Sequence, residues 1–184
     1  MTISVFGLGY VGAVTAGCLA EKGHRIIGVD VHEAKVNAIN EGRSPIIEPE
    51  LDHLMQRAKE HGRLSATTDA SAAVLASEVS IVCVGTPSQP SGALDLRYVR
   101  KVATQIAEAL HGGGSDHLLI LRSTLLPGST RQLANEFFGE LLSAGRLRLF
   151  YCPEFLREGT AVSDFREPSP ATERPQTPLP PAHL

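Results

Sequence analysis

A short segment near the amino terminus, GLGYVG at residues 7–12, spaces its glycines as G-x-G-x-x-G and directly follows an apolar run, Ile3–Phe6. Each glycine has its own physical use: Gly7 permits a tight turn, Gly9 lets the backbone approach a pyrophosphate, and Gly12 lets a helix pack closely on a strand. The amino terminus of the following helix offers unpaired N–H groups and a positive dipole end to phosphates. The pattern therefore predicts a strand–turn–helix unit that binds a dinucleotide.

An acidic residue, Asp30, ends the second apolar run, Arg25–Asp30. A carboxylate at this place accepts hydrogen bonds from the ribose hydroxyls of adenosine and repels a 2′-phosphate. The next residues, Val31 and His32, supply no arginine for such a phosphate, so NAD is favoured over NADP. Lys35 follows one helical turn later and is expected either to approach the cofactor or to be a solvated lysine. The alternative for the whole pattern is a glycine turn with an unrelated acid.

Short apolar runs alternate with helix-like stretches along the chain. The runs are Ile3–Phe6, Arg25–Asp30, Leu64–Thr67, Val79–Val84, Leu118–Leu121 and Leu147–Tyr151. The helix-like stretches are Val11–Lys22, Glu33–Glu41, Glu50–His61, Leu96–His111 and Ser129–Ser143. Nearly continuous apolar runs suit strands that are buried on both faces, and parallel strands need crossover connections. The pattern predicts an α/β fold, a Rossmann-type doubly wound parallel six-stranded sheet in a single domain.

Composition excludes several classes of function. Of the 184 residues, 42% are hydrophobic and 20% charged, and the formal net charge is −3. This charge attracts neither nucleic acid nor an anionic membrane. No apolar run approaches the roughly 20 residues that span a bilayer. Together with the lack of a signal-peptide pattern, these features predict a cytoplasmic protein without nucleic-acid or membrane partners.

The three cysteines, Cys18, Cys83 and Cys152, are far apart and show no metal-ligand spacing, so no metal site is predicted. An odd number without a secretory signal favours reduced thiols. Apolar neighbours predict that each is a small buried residue, and Cys152 is held open because it stands beside a motif discussed below.

The last part of the chain has a different character. Residues 166–184 contain six prolines and no apolar period, which predicts an irregular tail after a dinucleotide-binding domain at residues 1–165. A natural linker is one explanation. The other is a frameshift or truncation, because the pattern is lost abruptly.

Hydroxyl groups follow two of the predicted strands. Thr86 stands after Val79–Val84, and Thr124 stands after Leu118–Leu121. Ligands bind at the carboxyl ends of strands in open α/β sheets, which makes both residues candidate contacts. The alternative is that each threonine caps the following helix, and spacing alone does not separate the two.

Several motifs in order carry a resemblance to a known family. They are FGLGYVG, SPIIEPEL, VCVGTP, RSTLLPG and YCPEFLREG, and they span Met1 to about Ser169. With them the chain resembles the UDP-glucose/GDP-mannose dehydrogenase family in its N-terminal NAD-binding domain. The sequences of these motifs are most similar to those of the GDP-mannose 6-dehydrogenases that take part in the synthesis of alginate, a polysaccharide. They are next most similar to those of the UDP-glucose 6-dehydrogenases. Such enzymes oxidise a sugar C6 alcohol to a carboxylate in two NAD-dependent steps through a cysteine thioester.

The resemblance implies roles for individual residues. It implies NAD contacts at Tyr10, Val11, Asp30, Lys35, Thr86 and Thr124, beside the glycines of residues 7–12. Thr124 is also similar to a threonine that positions the hydrolytic water. Glu154 resembles an acid–base glutamate, and the segment Glu154, Phe155, Leu156, Arg157 and Glu158 would lie along the nucleotide sugar. Phe155 and Leu156 are expected to enclose the carboxylate. Without the resemblance, Glu154 reads as a helix-start carboxylate that accepts N–H groups.

The chain also departs from the family pattern. The family's nucleophilic cysteine, its lysine and asparagine partners and its central dimer helix all lie downstream of these motifs. Cys152 takes a place that is commonly asparagine and is no substitute. The chain alone is therefore expected to lack the second oxidation, and an uncovered face is expected to reduce its solubility. Two alternatives remain: a cofactor-binding module without turnover, and a 3-hydroxyacid dehydrogenase, which the PEFLREG segment argues against.

Overall fold

The computed structural model describes residues 1–90, 92–113 and 116–167. Six strands coincide with the six predicted apolar runs, shifted by a residue or two at some ends. They are β1 (Thr2–Phe6), β2 (Arg25–Val29), β3 (Leu64–Thr67), β4 (Val79–Val82), β5 (His117–Leu121) and β6 (Leu147–Tyr151). Val84 and Asp30, which the sequence placed inside strands, stand just beyond the ends of β4 and β2.

Eight helices connect or follow these strands in the described residues. They are α1 (Tyr10–Glu21), α2 (Glu33–Asn40), α3 (Leu51–Glu60), α4 (Ala70–Leu75), α5 (Arg97–Gly112), α6 (Ser129–Phe137), α7 (Gly139–Ser143) and α8 (Ala161–Arg166). Sequence periodicity missed α4 and α8, because six residues make too few turns to show a period. The single helix predicted over Ser129–Ser143 is broken at Phe138, whose side chain is fully buried and whose φ of −126° departs from helical values.

The strands form one parallel sheet in the order β3-β2-β1-β4-β5-β6. This is the strand order of the doubly wound dinucleotide fold, so the predicted fold class is confirmed. Because all six strands run the same way, their carboxyl ends share one edge of the sheet. The glycine segment after β1 and Asp30 after β2 therefore lie at that edge.

Helices cover both faces of the sheet and divide the core into two layers. One layer packs α1, α3 and α8 on one face, with Leu51, Met55 and Val162 among the buried side chains. The other packs α4, α5, α6 and α7 on the opposite face, with Ile106 and Phe138 among its fully buried side chains. Residues 3–6 of β1 are buried on both faces of the sheet, which explains why they form a continuous apolar run apart from Ser4.

A row of buried polar side chains interrupts the core layer beneath α4, α5, α6 and α7, in the amino-terminal half of the strands. Ser4 Oγ lies 2.7 Å from Ser80 Oγ, which lies 2.8 Å from His117 Nε2, and Ser77 Oγ donates to Ser4 Oγ at 3.0 Å. Burial lowers the pKa of His117 below its ordinary value of 6.5, with a smaller opposing effect from a backbone bond to Ser77. The imidazole is therefore held neutral inside the fold.

We expect His117 to make the domain less stable in mild acid. Its folded pKa is depressed, so below pH 6.5 the unfolded chain takes up a proton that the folded chain does not, and the free energy of unfolding falls with falling pH. Urea unfolding between pH 7.5 and 5.5 measures this slope. His117→Gln should flatten it, whereas His53→Gln, at an exposed position of α3, should leave it unchanged. An identical slope in His117→Gln would contradict the assignment.

Two sequence expectations concern the ends of the described chain. The predicted tail begins at residue 166, but α8 includes Arg166, so the helix extends one residue beyond the predicted boundary. Residues 168–184, which hold most of the predicted tail, lie outside the described residues. None of the helices in the described residues has the length and apolar character to cross a bilayer.

Candidate functional site

The glycine segment turns sharply between β1 and α1. Gly7 has a φ of +89°, and a Cβ there would lie 3.0 Å from the backbone of Val84. A Cβ on Gly12 would lie only 1.8 Å from the carbonyl oxygen of Gly7, so the turn passes directly over the first turn of the helix. Gly9 is the N-cap of α1 and faces open space. The geometry leaves the helix amino terminus accessible from the Gly9 side, as a bound pyrophosphate requires.

Asp30 is buried at the carboxyl end of β2, with 8% of its surface exposed. Its Oδ2 accepts the N–H of Leu8 at 2.8 Å, and its Oδ1 accepts the N–H of His32 at 3.0 Å. Lys35 Nζ lies 3.3 Å from Oδ2, so this lysine points at the carboxylate. Burial raises the pKa of Asp30, but the hydrogen bonds from His32 and Leu8 and the Lys35 charge outweigh it and hold the pKa below its ordinary value. The site therefore presents an ionised carboxylate fixed to the glycine segment.

The hydroxyls of Thr86 and Thr124 do not cap helices. The N-caps of α5 and α6 are Leu96 and Gly128, so the capping alternative is wrong. Thr86 Oγ1 instead donates to the carbonyl oxygen of Thr124 at 3.0 Å. Next to it, Ser123 Oγ donates to the carbonyl oxygen of Val84 at 2.7 Å. These two bonds join the loops that follow β4 and β5 at the same edge as the glycine segment.

The segment 154–158 is an extended loop after β6. Glu154 Oε2 accepts the N–H of Leu156 at 2.8 Å, two residues on, and no helix begins here. The reading of Glu154 as a helix-start carboxylate is therefore wrong, although it does accept a backbone N–H. Of the two residues expected to enclose this carboxylate, Phe155 is 63% exposed and Leu156 is partly buried against the core. Arg157 pairs with Asp164 at 2.6 Å, and Glu158 is exposed.

The cysteines fall into two environments. Cys18 and Cys83 are buried, as predicted, and burial raises their pKa to about 11 and about 12. Cys152 is exposed, which contradicts the expectation of a buried residue. Its Sγ lies 3.8 Å from Nη1 of Arg122, whose guanidinium also packs over the Phe165 ring at 5.7 Å. Within the described part of the chain, no three His, Cys, Asp or Glu side chains are grouped to hold a metal ion.

One buried carboxylate of the site, Glu48, received no role from the sequence. It lies in the loop between α2 and α3 and contacts Tyr10 of the glycine segment and the backbone of residues 159–161. Burial, followed by the Glu48 bond, raises the pKa of Tyr10 to about 12. The available signal was its position inside SPIIEPEL, a motif that supported the resemblance without assigning a function to its acid.

Comparison with known proteins agrees with this geometry. The model of the UDP-glucose/GDP-mannose dehydrogenase family, NAD binding domain, matches residues 1–171. The chain belongs to this family. Its cofactor is NAD, and the site fits that cofactor through the glycine segment, the open amino terminus of α1 and the ionised Asp30. Membership in this family excludes the 3-hydroxyacid dehydrogenase alternative.

Individual relatives cover only part of their own length. GDP-mannose 6-dehydrogenase of Pseudomonas aeruginosa is 47% identical over 172 residues, which are 91% of this chain and 39% of the relative. UDP-glucose 6-dehydrogenase of Rhizobium meliloti is 39% identical over 91% of this chain and 38% of the relative. A crystal structure of a ternary complex of GDP-mannose dehydrogenase from Pseudomonas aeruginosa superposes with a TM-score of 0.84 at 46% identity, over 91% of this chain and 39% of that one. The family domain described here thus spans about two fifths of these dehydrogenases.

Proposed function

We propose that this chain is the NAD-binding part of a GDP-mannose 6-dehydrogenase, which oxidises the C6 alcohol of GDP-mannose to the carboxylate of GDP-mannuronate. The observation that carries the proposal is the meeting of two segments at one edge of the sheet. The Tyr10 hydroxyl of the glycine segment lies 3.2 Å from the carbonyl oxygen of Arg157, in the segment that follows β6. A dinucleotide on the glycine segment would therefore lie beside a sugar held along residues 154–158.

Each site residue has a role in this proposal. Gly7, Gly9, Gly12 and the amino terminus of α1, at Tyr10 and Val11, bind the pyrophosphate of NAD. Asp30 accepts the adenosine ribose hydroxyls, and Lys35 neutralises part of the charge around them. Thr86 and Thr124 contact NAD from the joined loops after β4 and β5. NAD supplies the hydride acceptor when it is bound.

The remaining roles concern the sugar. Glu154 exchanges protons at its carboxylate, and Thr124 orients the water that hydrolyses the thioester after the second oxidation. Phe155, Leu156, Arg157 and Glu158 lie along the nucleotide sugar. The exposed Phe155 ring supports this arrangement, because a large apolar surface at a ligand edge is available for contact.

GDP-mannose is preferred to UDP-glucose as the substrate because identity to the GDP-mannose 6-dehydrogenase of Pseudomonas aeruginosa is 47%, against 39% for the UDP-glucose 6-dehydrogenase of Rhizobium meliloti. The alternatives are a UDP-glucose 6-dehydrogenase part and a non-catalytic NAD-binding module. A cytoplasmic location belongs to the same proposal and is supported by the odd number of cysteines. Oligomerisation through a downstream helix and reduced solubility of the isolated domain stay predictions.

Direct titration tests the proposal. We expect the 184-residue chain to bind NAD and to discriminate against NADP by about tenfold or more, because Asp30 repels the 2′-phosphate. Calorimetric titration with NAD, NADP, GDP-mannose and UDP-glucose measures all four affinities under one condition. Tighter binding of GDP-mannose than of UDP-glucose supports the substrate, and the reverse order selects the alternative. A chain that binds neither dinucleotide would refute the proposed function.

A further inference from the structure

Glu48 accepts hydrogen bonds from two separate parts of the site, the glycine segment and the backbone of residues 159–161. Its side chain is 7% exposed, in the loop that leads into α3. Oε1 accepts the N–H of Ala161 at 2.8 Å, and Oε2 accepts the N–H of Gly159 at 2.9 Å. Oε2 also accepts the hydroxyl of Tyr10 at 2.5 Å. One carboxylate thus holds the first residue of α1 and the backbone between the 154–158 segment and α8.

The chemistry of this position favours a carboxylate over other side chains. An ionised carboxylate accepts at both oxygens and has no donor to place among N–H and O–H groups. Burial alone raises the pKa of Glu48, but the bonds from Tyr10, Gly159 and Ala161 outweigh burial and lower it below its ordinary value. Hydrogen bonds to charged acceptors are also stronger than neutral ones. Glu48 therefore stays ionised and firmly bonded at neutral pH.

The same loop contacts α8 at its other end. Glu50 is the one described non-glycine residue with a positive φ, at 65°, and its carboxylate pairs with Arg166 at 2.8 Å. Arg166 also pairs with Glu21 of α1 at 2.9 Å. The loop between α2 and α3 thus holds both ends of α8 against α1. Strained backbone of this kind persists only where the surrounding contacts enforce it.

Resting on the function proposed above, we propose that Glu48 is a positioning residue that couples NAD binding to the order of the sugar-contacting segment through Tyr10. Glu48 is buried beneath both segments and acts through the Tyr10 hydroxyl and through the backbone N–H groups of Gly159 and Ala161. NAD bound at the first turn of α1 restricts the motion of Tyr10. Because Tyr10 and the backbone of residues 159–161 are hydrogen-bonded to the same carboxylate, the motion of residues 157–161 is restricted as well. Binding of the cofactor would then prepare the loop for the sugar.

Amide hydrogen exchange of the full chain, read at Gly159 and Ala161 by NMR, tests the coupling. We expect saturating NAD to slow exchange at both amides by about fivefold or more in the wild type, the lower end of typical site-to-site coupling. Tyr10→Phe removes the hydroxyl that donates to Glu48 and leaves the bonds from Gly159 and Ala161 to the Glu48 carboxylate. Glu48→Gln keeps the shape and removes the charge. Each variant is measured at an NAD concentration that saturates it, chosen from its own dissociation constant for NAD. In both variants, NAD should then slow exchange at Gly159 and Ala161 by less than about twofold.

Glu78→Gln is the matched control. Glu78 Oε2 accepts the N–H of Thr2 at 2.8 Å at the opposite edge of the sheet, so this variant should keep the full NAD response. A merely structural Glu48 would change ligand-free exchange or stability but not the ratio with and without NAD. NAD binding with an unchanged response in Tyr10→Phe or Glu48→Gln overturns the coupling and leaves the proposed function intact. Failure of the wild type to bind NAD overturns both.

Discussion

Gly12→Ala is expected to destabilise the domain strongly, whereas Gly9→Ala is expected to leave its stability nearly unchanged. The Cβ on residue 12 would lie 1.8 Å from the Gly7 carbonyl oxygen, and backbone cannot move aside as a flexible side chain can. Overpacking of this kind costs about 3 kcal/mol or more, a large share of the roughly 5–15 kcal/mol that stabilises a domain. The better helix propensity of alanine returns only about 1 kcal/mol.

Urea unfolding and NAD titration of the two variants separate folding from binding. Gly9 faces open space in extended backbone, so alanine there meets no neighbour. We expect Gly9→Ala to unfold near the wild-type midpoint and to bind NAD about tenfold more weakly, because its Cβ projects where the pyrophosphate approaches. A stable Gly12→Ala domain with wild-type affinity would show that the turn relaxes, and it would remove the packing argument for this glycine.

Asp30→Ala is expected to weaken NAD binding by roughly a hundredfold. The carboxylate would accept ribose hydroxyls, and hydrogen bonds to a charged acceptor are worth about 1.5–3 kcal/mol each. The affinity for NADP should fall much less, because the 2′-phosphate loses a repelling charge as well. The preference for NAD over NADP, measured by titration with both dinucleotides, should therefore nearly disappear. An unchanged preference would mean that Asp30 does not contact the ribose.

Asp95→Ala provides the comparison for the loss of a buried carboxylate. Asp95 is about as buried as Asp30, and its Oδ1 also accepts the N–H two residues on, from Arg97 at 3.0 Å. Both variants remove the acceptor of such an N–H, so both should lower the free energy of unfolding. Only Asp30→Ala should alter the NAD preference. An equal loss of affinity in Asp95→Ala would instead indicate a general disturbance of the fold.

Local sequence signals were sufficient to predict the sheet, the turn at the glycine segment and the position of Asp30 beside it. Buried parallel strands are apolar on both faces, so runs such as Val79–Val82 stand out, and the crossover rule then fixes most of the topology. Gly7 and Gly12 were predictable because their constraints arise within one turn of chain. Asp30 was predictable because its contacts with Leu8 and His32 lie close to the strand ends.

The features that the sequence did not reveal depend on contacts between distant segments. Glu48 meets Tyr10 and Ala161 across 38 and 113 residues of chain, and no periodicity reports such a meeting. The short helix α8 is held by that carboxylate and by Arg166 rather than by its own propensity, since isolated helices of this length are not stable in water. Cys152 looked buried from its apolar neighbours, but β6 ends at Tyr151 and leaves the thiol outside the sheet.

The central place of β1 has a consequence for how the protein is made. Of the six strands, β1 leaves the ribosome before the other five, yet one of its two edges pairs with β4, whose residues 79–82 are synthesised much later. During that interval, β2 covers one edge of β1 and the other edge has no permanent strand beside it. An open, apolar strand edge recruits other chains. The nascent chain is therefore most vulnerable to aggregation before β4 emerges, and slower translation of residues 7–78 would lengthen that exposure.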